Sequence, residues 1–269
     1  MTENGEVQQI ALSADMTSSR SGTFYFAFGS NLSPKQMSLR LTSGSRSSKP
    51  VAIARLDGYV WIICSRGYAN VVALPASNQA KYENTVWGVV YNLSAEDEAR
   101  LDVYEGHDNI RNPQPQINPE PSKQQEVPYL QGDWDYNKHY LPVTVTKWLH
   151  SPKEYGIEVQ NWLDDHTQPV SVRALVYVDE IRTQPGKVNQ EYIGRMNRAI
   201  RESVQLGIPQ SWIDAVMRNY IPAGIEVDHD GYVGTEKDYV EAEATETASD
   251  LKERVLRELQ QKQSHGTSQ

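Results

Sequence analysis

The chain has one cysteine, no long apolar run and a shortage of positive charge. Across 269 residues, 26 Lys and Arg face 35 Asp and Glu, a formal net charge of -9. That sign argues against nucleic acid or anionic membrane as a main partner. Cys64 stands alone, so no internal disulfide is possible, and a reducing, cytoplasmic setting is expected. Its place inside an apolar run makes it a buried, inert thiol. No apolar run approaches bilayer-spanning length. Residues 1–21 hold no apolar core of the kind that opens a secretory leader. Several motifs are also missing. Neither HExxH nor EF-hand spacing occurs, and Asp228-His229-Asp230 and His107-Asp108 are poor metal sites, so no metal and no cofactor is expected. Ser30 lacks the GxSxG setting and histidine partner of a nucleophile.

What is there begins with residues 25–32, YFAFGSNL. The aromatic residues Phe24, Tyr25, Phe26 and Phe28 predict a strand that stops at Gly29. Ser33 and Pro34 then read as an N-cap with proline in the first helical turn, opening a helix to about Leu41. A strand that hands over to a helix at a glycine leaves the N–H groups of Gly29, Ser30 and Asn31 converging on one place. Such a corner suits an anion or a developing oxyanion. It is neither a P-loop nor a dinucleotide fingerprint, because the lysine and the glycine spacing are absent.

Residues 85–93 (TVWGVVYNL) are almost wholly apolar and predict a central strand. The next helix has Ser94 as N-cap, acidic residues in its first turn and Gly106 at its end. Glu105 therefore lies at the negative end of a helix, with Asp102 one turn back. Both effects push its pKa up, towards the range useful to a general base. Glu98, nearer the helix start, is expected to be silent on substitution. Residues 107–138 carry five prolines and predict a long insertion, either a flexible cover or a linker. Further strands are expected at 51–64 (with a bend at Asp57-Gly58), 69–73, 140–148 and 170–178. Helices are expected from about 188 to Gly207 and from Pro209 to Tyr220. A short helix around 159–163 is an open alternative. The domain boundaries expected are a disordered stretch at 1–22, a domain at 23–222 containing the 107–138 insertion, and an acidic helical extension at 223–269.

The YFAFGSNL corner, followed by TVWGVVYNL and then LDVYEG, resembles the γ-glutamylcyclotransferase family. Length and insertion resemble the cyclotransferase-like proteins of fungal gliotoxin-type gene clusters. The resemblance implies an α+β fold: a mixed, strongly curved sheet or small barrel flanked by helices. It implies conversion of a γ-glutamyl amine or peptide into 5-oxoproline and a free amine, without a cofactor. It places Glu105 as the catalytic acid/base. It places Tyr25, Phe26, Ala27, Phe28, Gly29, Ser30 and Asn31 in a substrate-binding loop, with Tyr192 and, less directly, Tyr140 as further contacts. Phe28 stands where the family has tyrosine. The partner implied is a small γ-glutamyl substrate, possible glutathione-derived adducts of secondary metabolism included; a homodimer is left open. A non-catalytic member of the same fold, binding a small metabolite or a protein, is the alternative.

Overall fold

The closing seam of a barrel runs beside Tyr25. The computed structural model describes residues 22–42, 45–75, 84–106, 135–159, 163 and 169–225. Strand β1 (Thr23–Ala27) pairs antiparallel with β5 (Thr85–Leu93), setting Tyr25 opposite Tyr91. From β5 the sheet continues through β2 (Ala52–Asp57), β6 (Asn137–Trp148) and β7 (Val170–Val178). It closes where β7 meets β1 in parallel, with Tyr25 opposite Leu175. The expected curved α+β fold is therefore a closed five-stranded barrel with helices around it.

The apolar run at 85–93 is central, as its composition requires: β5 is paired on both edges, by β1 and β2. The run at 51–64 is not one strand. It breaks at Gly58 into β2 and β3 (Tyr59–Ile63), and β3 leaves the barrel to pair with β4 (Ala69–Ala73). Fully buried Phe26, Leu32, Ile53, Val89, Leu175 and Met196 are among the core side chains. Each such burial contributes about 1.5–3 kcal/mol.

Four helices dress the barrel among the described residues: α1 (Pro34–Arg40), α2 (Ala95–Tyr104), α3 (Gln190–Leu206) and α4 (Gln210–Ala215). Ser33 caps α1, its Oγ accepting from the Gln36 N–H at 3.0 Å. Ser94 caps α2 in the same way through the Asp97 N–H. Helix α3 ends at Gly207, and Pro209 caps α4, as their sequences indicate. Residues 1–21, 43–44, 76–83, 107–134, 160–162, 164–168 and 226–269 lie outside the described residues. With them go the expected N-terminal disorder, most of the insertion, the alternative helix near 159–163 and nearly all of the acidic extension.

Helix α2 is tied down on two sides. Asp97 accepts from the Thr42 N–H at 3.0 Å and from the Ser45 hydroxyl, joining the end of α1 to the start of α2. Burial raises the Asp97 pKa, but these hydrogen bonds outweigh it and the net shift is downward. On the other side, buried Lys138 of β6 reaches Glu98 and Asp102, the latter at 3.0 Å. The Tyr177 hydroxyl donates to Asp102 at 2.7 Å. Glu98 is thus not a solvated surface residue. Glu98→Gln is expected to weaken a charged hydrogen bond and destabilise the fold by about 1.5–3 kcal/mol. For a domain of this size that is a fall in Tm of roughly 3–12 °C, read by calorimetry.

Candidate active site

Beyond Ala27 the chain turns through Gly29 into one 3-10 turn, Ser30–Leu32, and then enters α1. A cavity of about 500 Å³ opens beside this corner. Tyr25, Phe28, Gly29, Ser30 and Asn31 line it from the corner, Glu105 from the end of α2 and Tyr192 from the start of α3. Residues far apart in sequence thus meet because β1, α2 and α3 converge at one end of the barrel.

Not all the corner's N–H groups wait for a ligand. The Ser30 N–H donates to the Tyr192 hydroxyl at 3.1 Å. This corrects the expectation of three converging, unpartnered donors. The approach is so close that a Cβ on Gly29 would lie 2.8 Å from the Tyr192 hydroxyl and 3.2 Å from the Ala69 Cβ. Gly29→Ala is expected to displace Tyr192 and break that hydrogen bond. The loss of about 0.5–1.5 kcal/mol corresponds to a fall in kcat/KM of roughly two- to tenfold, measurable by steady-state kinetics.

Glu105 is the C-cap of α2, its N–H donating to the Leu101 carbonyl while the Gly106 N–H donates to the Val103 carbonyl. Its carboxylate accepts from Asn31 Nδ2 at 2.9 Å and from Arg40 at 3.1 Å. Arg40, in the last turn of α1, also donates to Asn31 Oδ1 at 3.1 Å and lies over the Tyr104 ring. The Glu105 pKa is raised, as its sequence position predicts, but the cause differs. Burial raises it first and foremost, outweighing Arg40, Asn31 and Arg66, which pull it down, while Asp135 adds to the rise. Asp102 is engaged elsewhere, by Lys138 and Tyr177.

The cavity mouth holds charge of both signs. Arg66, on the turn between β3 and β4, pairs with Asp135 at 2.5 Å and with buried Asp179 at 3.2 Å, and its guanidinium lies over the Tyr136 ring. Arg195 pairs with Glu191 at 2.9 Å and covers the Tyr192 ring. Asp135 and Glu191 are each about half-exposed, at 50% and 48% of their side chains. They are turned to solvent while the two arginines are held in the wall.

Residues 25–148 match the family described as gamma-glutamyl cyclotransferase, AIG2-like. That segment, somewhat less than half of the chain, is similar to the family. Among solved structures, a γ-glutamyl cyclotransferase is 17% identical, with a TM-score of 0.45 over 82% of this chain and 99% of its own. An uncharacterized protein from Homo sapiens is 16% identical, with a TM-score of 0.44 over 82% of this chain and 99% of its own. A yeast γ-glutamyl cyclotransferase described as specific to glutathione is 13% identical, with a TM-score of 0.39 over 72% and 96%. No curated protein matches the chain.

The matched segment supplies the corner, Arg40 and Glu105, whereas Tyr192 and Arg195 lie beyond it. Three residues expected at the site sit elsewhere. Phe26 and Ala27 are fully buried and do not line the cavity. In a pleated strand Phe26 faces away from its neighbour Tyr25, and Ala27 has no side chain long enough to reach past the turn. Tyr140 is turned towards the start of α2, where its hydroxyl donates to Glu98 at 3.3 Å. Conversely, Arg40, Arg66, Tyr68, Asp135, Tyr136 and Arg195 line the cavity without having been anticipated. Among the described residues, no cluster of three or more His, Cys, Asp or Glu is arranged to hold a metal ion, and no helix is long and apolar enough to cross a membrane.

Proposed function

We propose that the protein is a γ-glutamyl cyclotransferase, turning a γ-glutamyl amine or peptide into 5-oxoproline and a free amine. The observation that carries this reading is Glu105: a buried carboxylate with a raised pKa on the wall of a cavity that no His, Cys or Lys lines among the described residues. Such a wall offers a proton acceptor and no histidine to activate its serine, Ser30, as a nucleophile. It fits a substrate that brings its own nucleophile, the α-amine of the γ-glutamyl group. The other lining carboxylates, Asp135 and Glu191, are half-exposed and paired with arginines.

The cavity folds the γ-glutamyl chain so that amine and γ-carbonyl meet, which is catalysis by orientation. As the new C–N bond forms, Glu105 takes a proton from the attacking amine. As the old C–N bond breaks, it returns that proton to the departing nitrogen. The leaving group is a peptide or a glutathione-derived adduct: a space of about 500 Å³ falls in the range that encloses drug-sized ligands. The test is incubation with γ-glutamyl dipeptides, glutathione and S-substituted glutathiones, with 5-oxoproline and the released amine measured by mass spectrometry. Equal amounts of both products support the reading. Tight binding of these compounds without release of 5-oxoproline overturns it in favour of a non-catalytic binding protein.

A further inference from the structure

The hydrogen-bond pattern around Asn31 fixes where one proton points. Arg40 can only donate, and it donates to Asn31 Oδ1 at 3.1 Å. The amide nitrogen of Asn31 must therefore face the other way. There it gives one hydrogen to Glu105 Oε1 at 2.9 Å and one to the Tyr25 hydroxyl oxygen at 2.9 Å. A phenol carries a single proton, and this one cannot point back at an N–H donor. No hydrogen bond from the Tyr25 hydroxyl to another acceptor occurs among the described residues. Tyr25 lines the cavity, so its O–H is a donor aimed into that space.

Tyr25 is also rigid and stays protonated. Its ring stacks on Tyr91 and meets Tyr177 edge-on at 5.7 Å, and its backbone sits at the barrel seam. Burial first, and then the negative charge of Glu105, raise its pKa well above the usual phenol value. Another donor of the corner, the Ser30 N–H, is already taken by Tyr192. Phe28 brings no hydroxyl of its own.

We propose that the Tyr25 hydroxyl donates to the γ-carbonyl oxygen of the substrate as that oxygen becomes an oxyanion, a role that rests on the cyclotransferase reading above. The single nitrogen of Asn31 links this donor to Glu105, so one side of the reacting carbon meets an acceptor and the other a donor. When the α-amine adds, the carbonyl electron pair moves onto oxygen and the new charge falls on the Tyr25 O–H. Glu105 holds the proton lost by the amine. When the tetrahedral adduct collapses, the pair returns to re-form the carbonyl, the bond to the leaving nitrogen breaks, and Glu105 protonates that nitrogen. Tyr25 keeps its proton throughout. A fixed dipole of this kind stabilises the transition state more than the ground state.

The experiment compares wild-type protein with Tyr25→Phe, which removes only the hydroxyl, on a γ-glutamyl dipeptide. Expected is a fall in kcat of about 10²–10³-fold, the usual cost of losing one oxyanion donor, with KM near its wild-type value and a lowered Tm, because the buried Asn31 N–H loses its acceptor. Unchanged kcat overturns the proposal, and so does a rise in KM at constant kcat, which would make the hydroxyl a ground-state binding group. If Tyr25→Phe does not fold, fluorotyrosines placed at position 25 alone keep the ring and the O–H. The expected result is then a kcat that rises with phenol acidity, and a flat series overturns the proposal. A wild-type protein that releases no 5-oxoproline overturns this role and the cyclotransferase reading together. An active wild type with an unaffected Tyr25→Phe overturns this role alone.

Discussion

Glu105→Gln is expected to lower kcat by about 10²–10⁴-fold, the range over which a general acid–base group acts. The substitution preserves size, and the Gln oxygen can still accept from Asn31 and Arg40, which now meet at Glu105 Oε1. The cavity keeps its shape and KM changes little, because Tyr192 and the Gly29 corner are untouched. What disappears is a group that titrates. The wild-type kcat/KM rises with pH as Glu105 loses its proton, through a pKa above the ordinary Glu value, because burial disfavours the carboxylate. Glu105→Gln loses that rising limb. The matched control is Glu96→Gln on the same helix, whose side chain is 60% exposed and pairs with Arg100 at 3.7 Å. Its kcat stays at the wild-type value. Release of 5-oxoproline by Glu105→Gln at close to the wild-type rate would remove Glu105 from the mechanism and leave the proton acceptor to be sought elsewhere in the cavity.

Local chemistry made part of this site legible. Ser33, Pro34 and Ser94 announce helix starts because their side chains and fixed φ act on the adjacent turn. The aromatic run and the stop at Gly29 locate the corner, and Gly106 at φ 61° locates the end of α2, hence Glu105. The direction of the Glu105 pKa was readable too, but not its cause, since burial is created by barrel closure rather than by the helix that carries the residue. Arg40 was invisible for a related reason. A basic residue in the last turn of a helix already has a bland explanation in the dipole, and only the fold sets it against a glutamate 65 positions away. The same holds for Arg66, which meets Asp135 and Asp179 from the turn of a hairpin. In the sequence Gly58 has the look of a bend in one strand. It instead separates the barrel strand β2 from β3, a choice made by which partner strand lies nearby. Tyr140 matched a strand and a family position, yet strand register turned its hydroxyl towards Glu98.

Arg40→Met carries the second large expected effect, on pH dependence as well as stability. Arg40 and Glu105 form an ion pair whose side chains are 8% and 14% exposed. Removing one partner of a buried pair costs about 3–5 kcal/mol, because the remaining charge loses its compensation. Glu105 has a way out: it takes up a proton. Its folded pKa, already raised by burial and held back chiefly by Arg40, then climbs further. The sign follows from linkage. A carboxylate whose folded pKa lies above its unfolded value binds more protons in the folded state, so stability falls as pH rises between the two values. The Tm deficit of Arg40→Met relative to wild type is therefore smallest in acid, below the unfolded Glu value of about 4.3, and grows as pH rises. The rising limb of kcat/KM moves to higher pH in step. On that limb each unit of displacement costs roughly tenfold in activity at fixed pH, and the loss is recovered as pH is raised. One guanidinium nitrogen of Arg40 serves both Asn31 and Glu105; Arg40→Lys keeps the charge on a shorter, more strongly hydrated side chain, and it falls between wild type and Met. A pH profile that stays in place in Arg40→Met, with only the overall rate reduced, would show that Arg40 organises the cavity without setting the proton affinity of Glu105.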